Sequence, residues 1–338
     1  MSLAEASGPG VGRRRVTRAD VARHAGVSTA VVSYTLNDGP KRVAPETRRR
    51  VLEAVRALGY RPNATARALR LGSTGEIGLI VPGVANRFYA ELTDAVETAA
   101  RTRGLALLIR NAARGEVPAA IEQLTTRQVD GLVIANEIGA ESFAVLSSAG
   151  TRAVFIDQPE PCDGACTLGV DRAAGARRAV EHLIGHGHRS VGFIGPSGPQ
   201  SHRWRGWREA LREAGLPEGP VADSPYSRQG GREGMAGLLD TADCPTAVFI
   251  ASDDQALGAL LALHERGVEV PGQVAVAGFD GSSGAAFAWP PLTAVTQPVD
   301  QMAVRALAAL AEGAPSGHEE LETELVLRRS CGCVGRDG

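Results

Sequence analysis

Short apolar runs recur from residue 77 onward, at 77–81, 105–109, 132–135, 153–156, 191–194, 248–251 and 274–277. Between them lie stretches whose apolar residues fall three and four apart, such as 90–103, 173–184 and 255–266. The first pattern suits strands buried on both faces, and the second suits amphipathic helices. Their alternation predicts parallel sheets covered by helices on both sides. Seven such runs over this length predict two α/β lobes rather than one.

The first sixty residues have a different texture. Three helical segments are expected between Thr17 and Gly59. Thr17 is placed to cap the first, with Asp20 at the acidic position of a capping box. Gly26-Val27-Ser28 breaks that helix, and Ser28 caps a second over 29–36. Asn37 to Pro40 are turn residues that end it. The third runs from Pro45 to Gly59, with Ala44 as a cap lacking a side-chain acceptor. That absence weakens the helix start by about 1 kcal/mol relative to serine. Val21, Ala22, Val27, Val32 and Leu36 are predicted to form one small core. The opposite face of the second helix carries Thr29, Ala30, Ser33 and Tyr34, all uncharged. This is a helix-turn-helix pattern, and small side chains let such a helix lie close to the floor of a DNA major groove.

Charge sharpens this reading. The chain has 338 residues and a net charge of −2. The first 72 residues hold 14 basic and 5 acidic side chains, +9, while the remaining 22 basic and 33 acidic leave the rest at −11. A basic head on an acidic body predicts that the head alone meets a polyanion. Arg13 to Arg15, Arg18, Arg42 and Arg48 to Arg50 flank the second helix and suit phosphate contacts. No apolar run approaches the roughly 18 residues of a membrane span. Residues 1–12 lack the apolar core of a signal peptide, so the expected location is the cytoplasm, on the nucleoid when bound to DNA.

Other chemistry is sparse. Five cysteines in a chain of 338 do not make a disulfide framework. Cys331-Gly-Cys333 has no histidine or cysteine partner at zinc-finger spacing and reads as a tail with two free thiols. His182, His186 and His188 straddle a helix end and read as structural. No metal and no cofactor are expected. No nucleophile elbow, phosphate loop or diagnostic acid–base pair is present, so no catalytic residue is assigned.

The stretch "VTRADVARHAGVSTAVVSYTLN", followed by "RVAPETRRRVLEAVRALGYRPNATARALR", resembles the DNA-binding head of the LacI/GalR (lac-repressor) family of bacterial transcription regulators. The resemblance implies base reading by Thr29, Ala30 and Tyr34, and phosphate contacts by Thr17, Ser28, Ser33 and Asn37. Tyr34 departs from the arginine of the best-known members, so no guanine is inferred opposite it. The segment after Pro62 resembles the family's hinge helix, which orders on operator DNA. Leu69 is then its minor-groove wedge, with Asn63 and Ala66 alongside.

In open parallel sheets ligands bind beyond the carboxyl ends of the strands. The residues after the apolar runs include Asn86, Phe88, Asp157, Ser252, Asp253 and Asp280, with Arg203 following 191–194. Tyr226, Phe287 and Trp289 offer aromatic walls. Carboxylates, an arginine and ring faces suit a polyhydroxy ligand. Singly, Asp157 and Asp280 fit turn caps equally well, and Trp289 fits packing. The body is similar to the effector domain shared with periplasmic sugar receptors, through "VEHLIGHGHRSVGFIGP", "FIASDDQALGALLALHERGVEVPGQVAVAGFD" and "PPLTAVTQP". That similarity places Asn86, Phe88, Asp157, Arg203, Ser252, Asp253 and Asp280 on ligand-lining positions. Ser252 stands where some relatives have asparagine.

The expected organisation is an all-α helix-turn-helix head plus an α/β body of two Rossmann-like parallel-sheet lobes. The expected bounds are a lead over 1–15, a head over 16–60, a hinge and linker over 61–74, and a ligand-binding and dimerisation body over 75–333. Within the body, lobe one takes about 75–168 and 297–322, and lobe two about 169–296 and 323–333. The expected function is a repressor that binds a near-palindromic operator as a homodimer and is released by a small effector, a sugar by this reading. A corepressor-activated regulator, a soluble sugar receptor, and a sugar or nucleotide enzyme are the rival readings.

Overall fold

The computed structural model describes residues 16–36, 42–61, 72–136 and 139–333. The lead over 1–15, Asn37, and the hinge residues Asn63, Ala66 and Leu69 lie outside them. The chain divides into two compact units, 1–74 and 75–338.

In the first unit, α1 (Arg18–Ala25), α2 (Thr29–Leu36) and α3 (Pro45–Leu58) pack on one another. Local chemistry sets their ends. The Asp20 amide donates to Thr17 Oγ1, while the Thr17 amide donates to Asp20 Oδ2 at 2.9 Å. Gly26 closes α1 at φ 65°, a left-handed conformation that suits glycine. Ser28 Oγ accepts from the Val31 amide and starts α2. Ala44 makes no side-chain cap, and Pro45 opens α3. Val21, Ala22, Ala25, Val32, Val51 and Ala54 form the buried centre, with Val27, Val31 and Leu36 half-buried against it.

The second unit contains two six-stranded sheets. The first, in lobe one, has β1 (Glu76–Val81), β2 (Ala106–Asn111), β3 (Gly131–Ile134), β4 (Ala153–Phe155), β5 (Cys166–Val170) and β11 (Gly317–Leu321). Their spatial order is β11-β5-β4-β3-β1-β2. The second, in lobe two, has β6 (Val191–Gly195), β7 (Val221–Asp223), β8 (Ala247–Ile250), β9 (Ala275–Asp280), β10 (Thr293–Thr296) and β12 (Glu324–Val326), in the order β12-β10-β9-β8-β6-β7. Among these strands every neighbouring pair is parallel except β10 with β12.

The inner strands of each sheet are buried on both faces, which explains most of the continuous apolar runs; β2, formed by the run at 105–109, is instead a largely exposed edge strand, with Ile109 46% exposed. Leu79, Val81 and Val133 face α4 (Arg87–Thr102) and α12 (Val299–Ala311), whereas Ile80, Leu132 and Ile134 face α5 (Val117–Thr126) and α6 (Ala140–Ala149). This is the two-residue alternation of a strand with a core on either side. Lobe two repeats the arrangement. Phe193 and Phe249 pack on one side with α7 (Arg172–Gly185) and α8 (His202–Glu213), and Ile194 and Ile250 on the other with α9 (Arg228–Leu239) and α10 (Asp253–Glu265).

Five strands, β5, β7, β10, β11 and β12, have no counterpart among the apolar runs read from the sequence. β5 reads "CTLGV" and β11 reads "GHEEL", so neither presents a continuous hydrophobic signal. The chain passes between lobes three times: after β5, after β10 and between β11 and β12. Arg178 braces the last crossing by donating to the Thr323 carbonyl at 2.7 Å.

Helices α9 and α10 cross with almost no space between backbones. A Cβ at Gly258 would overlap the Arg228 carbonyl oxygen, and one at Gly231 would overlap that of Gln255. Backbone atoms on both sides leave nothing flexible to yield. Gly258→Ala is therefore expected to destabilise the protein by about 1–3 kcal/mol, as overpacking of a filled core does. A urea melt with a lowered midpoint and unchanged slope checks this.

Candidate functional site

The four named residues on α2 take up their expected face. Thr29 and Ala30 are exposed, and Ser33 and Tyr34 are half-buried. Val32 and Thr35 point into the core, with Thr35 Oγ1 donating to the Val31 carbonyl. Thr17 and Ser28 stand at the N-termini of α1 and α2, where free amides and the helix dipole favour an anion. Arg18, Arg42, Arg48, Arg49 and Arg50 are exposed on this unit.

In the second unit the two lobes enclose a cavity of about 840 Å³. Its walls are the carboxyl ends of the parallel strands. Lobe one contributes Asn86, Phe88 and Tyr89 after β1, Asn136 after β3, and Asp157 after β4. Lobe two contributes Gln200, His202 and Arg203 after β6, Tyr226 after β7, Ser252 after β8, and Asp280 at the end of β9. Asn86 caps α4, accepting from the Phe88 amide at 2.9 Å, and Ser252 caps α10.

Two arginine–aspartate pairs order the polar part of the cleft. Arg203, 7% exposed, donates from Nη2 to Asp280 Oδ1 at 2.9 Å and from Nη1 to the Ala251 carbonyl. Its guanidinium lies 4.1 Å from the Phe279 ring centroid and 5.4 Å from that of Tyr226. Gln297 Nε2 also donates to Asp280 Oδ1, at 2.9 Å. Arg172, at the start of the first helix of lobe two, reaches back to lobe one. Its Nη2 donates to Asp157 Oδ1 and to the Asp157 carbonyl, both at 2.5 Å. Tyr89 Oη donates to Asp157 Oδ2 at 3.1 Å.

Both aspartates sit on left-handed backbone, Asp157 at φ 59° and Asp280 at φ 102°. Such conformations cost a non-glycine residue about 1–3 kcal/mol and persist only where the surroundings impose them. Here they turn each carboxylate from its strand end toward its arginine.

The electrostatics follow from burial. Burial pushes the Tyr89 phenol well above its ordinary value, and the Asp157 charge adds to this, so the phenol remains a donor. Burial opposes the Arg172 charge, but Asp157 more than offsets it and the guanidinium is held above its usual range. Asp280 is raised by burial against the opposing pull of Arg203 and Gln297. Asp253 is raised to about 7, first by burial and then by the Asp280 charge.

Seven of the nine residues expected at the effector site line the cavity: Asn86, Phe88, Asp157, Arg203, Tyr226, Ser252 and Asp280. Asp253 does not. It is turned into the protein, where Oδ2 accepts from the Ser282 amide at 2.6 Å and from Ser282 Oγ at 2.8 Å, and Oδ1 is buried without a donor. Trp289 is 83% exposed and Phe287 89%, both on the loop before β10, and neither reaches the cavity. Arg172 and Tyr89 are absent from the expected set. Arg172 follows β5, one of the strands with no apolar run, so the residues after the apolar runs do not include it. Tyr89 is one helical residue beyond Phe88.

Comparison with known proteins gives these features a context. Residues 17–63 match the family model "Bacterial regulatory proteins, lacI family", and residues 180–331 match "Periplasmic binding protein-like domain". The transcriptional repressor PurR of Pasteurella multocida (strain Pm70) is 33% identical over 325 residues, covering 92% of this chain and 97% of that protein. Among solved structures, the lac repressor dimer bound to operator and the anti-inducer ONPF superposes with a TM-score of 0.82 at 27% identity, covering 94% and 99% of the two chains. The complex of the transcriptional regulator CelR with cellobiose gives a TM-score of 0.68 at 31% identity, covering 94% and 100%.

Asp253 yields a pH prediction. A folded-state value near 7 lies above the ordinary 3.8, so between the two the folded protein binds more protons than the unfolded chain. The contribution of Asp253 to stability therefore falls as pH rises through this window. Asp253→Asn removes the titration and is expected to flatten the fall. Denaturation midpoints of the parent and the variant across the window check this; parallel curves would contradict it.

Proposed function

The chain belongs to the lacI family of bacterial regulatory proteins, and on that premise we propose that it represses transcription as an operator-bound homodimer released by a small polyhydroxy effector. Members of this family are DNA-binding regulators rather than enzymes. Beyond that, the reading assigns Thr29, Ala30 and Tyr34 to base edges and Thr17, Ser28, Ser33 and Asn37 to phosphates. Leu69 is assigned to a minor-groove wedge flanked by Asn63 and Ala66. Two copies related by a two-fold axis suit an operator whose half-sites mirror each other. The action belongs in the cytoplasm, on the nucleoid.

The observation that carries the effector reading is the cleft itself. A volume of about 840 Å³ suits a small molecule. Paired carboxylates and guanidinia offer acceptors and donors in fixed orientations, and Phe88 and Tyr226 offer ring faces to C–H surfaces. The CelR relative holds the disaccharide cellobiose. A carbohydrate fits this mixture of fixed polar groups and rings.

Contacts between lobes suggest how occupancy is transmitted. The Ser283 amide and Oγ, in lobe two, donate to Glu91 Oε1 of lobe one at 3.0 and 2.7 Å. Arg87 Nη2 donates to Ser283 Oγ at 2.7 Å. On the other flank Arg205 lies 3.3 Å from Glu160. Exposed pairs of this kind contribute little to stability, so the lobes re-pair at low cost. A ligand that binds both walls favours the arrangement in which they are close. Release of operator follows when that arrangement disfavours the paired hinge segments.

Five outcomes test the proposal. Selection from random duplexes is expected to yield a near-palindromic site. Affinity for it should fall with log salt at a slope of about −0.9 per phosphate contact. Leu69→Ala is expected to weaken specific binding more than non-specific binding; equal losses would refute the wedge. A thermal-shift screen of sugars is expected to give a hit, since a ligand at 100 times its Kd adds about 2.7 kcal/mol. Tyr226→Ala should then weaken that ligand by roughly 2–10-fold, the value of one aromatic contact, without lowering the melting temperature of the free protein.

A further inference from the structure

The fold overturns one premise of the sequence reading. Cys331 and Cys333 do have histidine partners. These are supplied from about 150 residues away by the last turn of α7. His182 Nε2 lies 3.3 Å from Cys331 Sγ and 3.5 Å from Cys333 Sγ, and His186 Nε2 lies 3.3 Å from Cys333 Sγ. The four donor atoms fall within 4.8 Å of one another. His188 is not among them; its Nδ1 faces Thr246 Oγ1.

We propose that His182, His186, Cys331 and Cys333 bind one zinc ion that ties the C-terminal segment to lobe two. The spacing fits. Zn–S bonds of about 2.3 Å and Zn–N bonds of about 2.0–2.1 Å at tetrahedral angles separate N from S by about 3.5 Å. The observed N···S distances of 3.3, 3.3 and 3.5 Å lie at that edge length. Two thiolates and two imidazoles suit zinc and not magnesium or calcium, which take oxygen donors. Four protein ligands leave no open position, so the site is structural rather than catalytic. On binding, the two thiols release their protons to solvent, and the two thiolates neutralise the dication.

The surroundings hold these donors in place. His182 and His186 are four apart on one helix face. Gly332, at φ 94°, supplies the left-handed turn that brings both sulfurs to the same side. Thr293 Oγ1 donates to Cys331 Sγ at 3.0 Å, a contact that supports a thiolate. Ser330, fully buried, donates from Oγ to the Val276 carbonyl and accepts from the Thr293 amide at 2.8 Å. The segment is therefore anchored in the sheet independently of metal. The ion would close the remaining gap to α7 and fasten the chain's last crossing into lobe two.

The test is metal analysis of the full chain, purified without chelator from zinc-supplemented culture. One zinc per chain is expected. Cys333→Ser and His186→Ala, both at the more exposed side of the cluster, should each lose most of it while keeping the parent's circular dichroism. Stripping with a strong chelator should lower the melting temperature, and zinc alone should restore it. Cobalt added to the stripped protein should give thiolate-to-cobalt charge transfer and tetrahedral d–d bands, both weakened in Cys333→Ser. Metal-free protein that shows no cobalt spectrum would overturn the proposal. So would zinc content unchanged in both variants, or a Cys331–Cys333 disulfide in freshly isolated protein.

Discussion

Two guanidinium–carboxylate pairs, Arg203–Asp280 nearly buried and Arg172–Asp157 partly so, line the cleft, and the strand ends around it are arranged to hold them. Taking such charges out of water is expensive, and only a well-placed opposite charge with further hydrogen bonds offsets the cost. Arg203 meets this demand with Asp280, the Ala251 carbonyl and the Phe279 ring face. Arg172 meets it with the side chain and carbonyl of Asp157, whose other oxygen is held by Tyr89. Each aspartate has left-handed backbone at the end of a parallel strand. That position exists only because each sheet is covered on both faces and ends at the cleft. The apolar cores, the strand order and the left-handed turns together place four charged side chains at one cavity.

Most of the large-scale design is visible in the residues. Most continuous apolar runs mark strands whose two faces are both buried, as with Leu79 and Ile80 facing different helices, whereas the run that forms the edge strand β2 does not. The helix-turn-helix is legible because its signals are local: the Thr17–Asp20 capping box, Gly26 and the Ser28 cap. Asn86, Asp157, Ser252 and Asp280, which line the cavity, are legible for the same reason, as residues that follow the apolar runs. What escaped was non-local. β5 and β11 pair with each other and carry glycine, threonine and glutamate, so their strand character comes from the neighbouring strand rather than from their own pattern. Arg172 was lost along with β5. The inward turn of Asp253 is not legible, because adjacency to Ser252 does not say which way a helix's first turn faces. Cys331 and His182 are neighbours only through the third crossing between lobes, which no spacing rule encodes.

The same crossings suit the proposed coupling of a small ligand to the DNA-binding segment. Three segments of chain join the lobes, and the contacts around Ser283 and Glu160 are of the exposed kind that contributes little to stability. Lobe two is closely packed by comparison, with the backbones of α9 and α10 in direct contact. A stiff body on either side of a soft junction is the hinge arrangement in which modest differences in ligand contact select between discrete states. The proposed zinc site joins the end of α7 to the segment that follows β12, after the last crossing. Its proposed role is to make one half of that hinge stiffer.

The central claim is that occupancy of the cleft and occupancy of operator DNA are linked through one conformational equilibrium. Titration calorimetry of the selected operator, with and without saturating effector, gives one affinity ratio. Titration of the effector, with and without operator, gives a second. The account predicts that the ratios agree, in the range of about 5–150. Ratios of one in both experiments, with each ligand bound at full affinity regardless of the other, would contradict it.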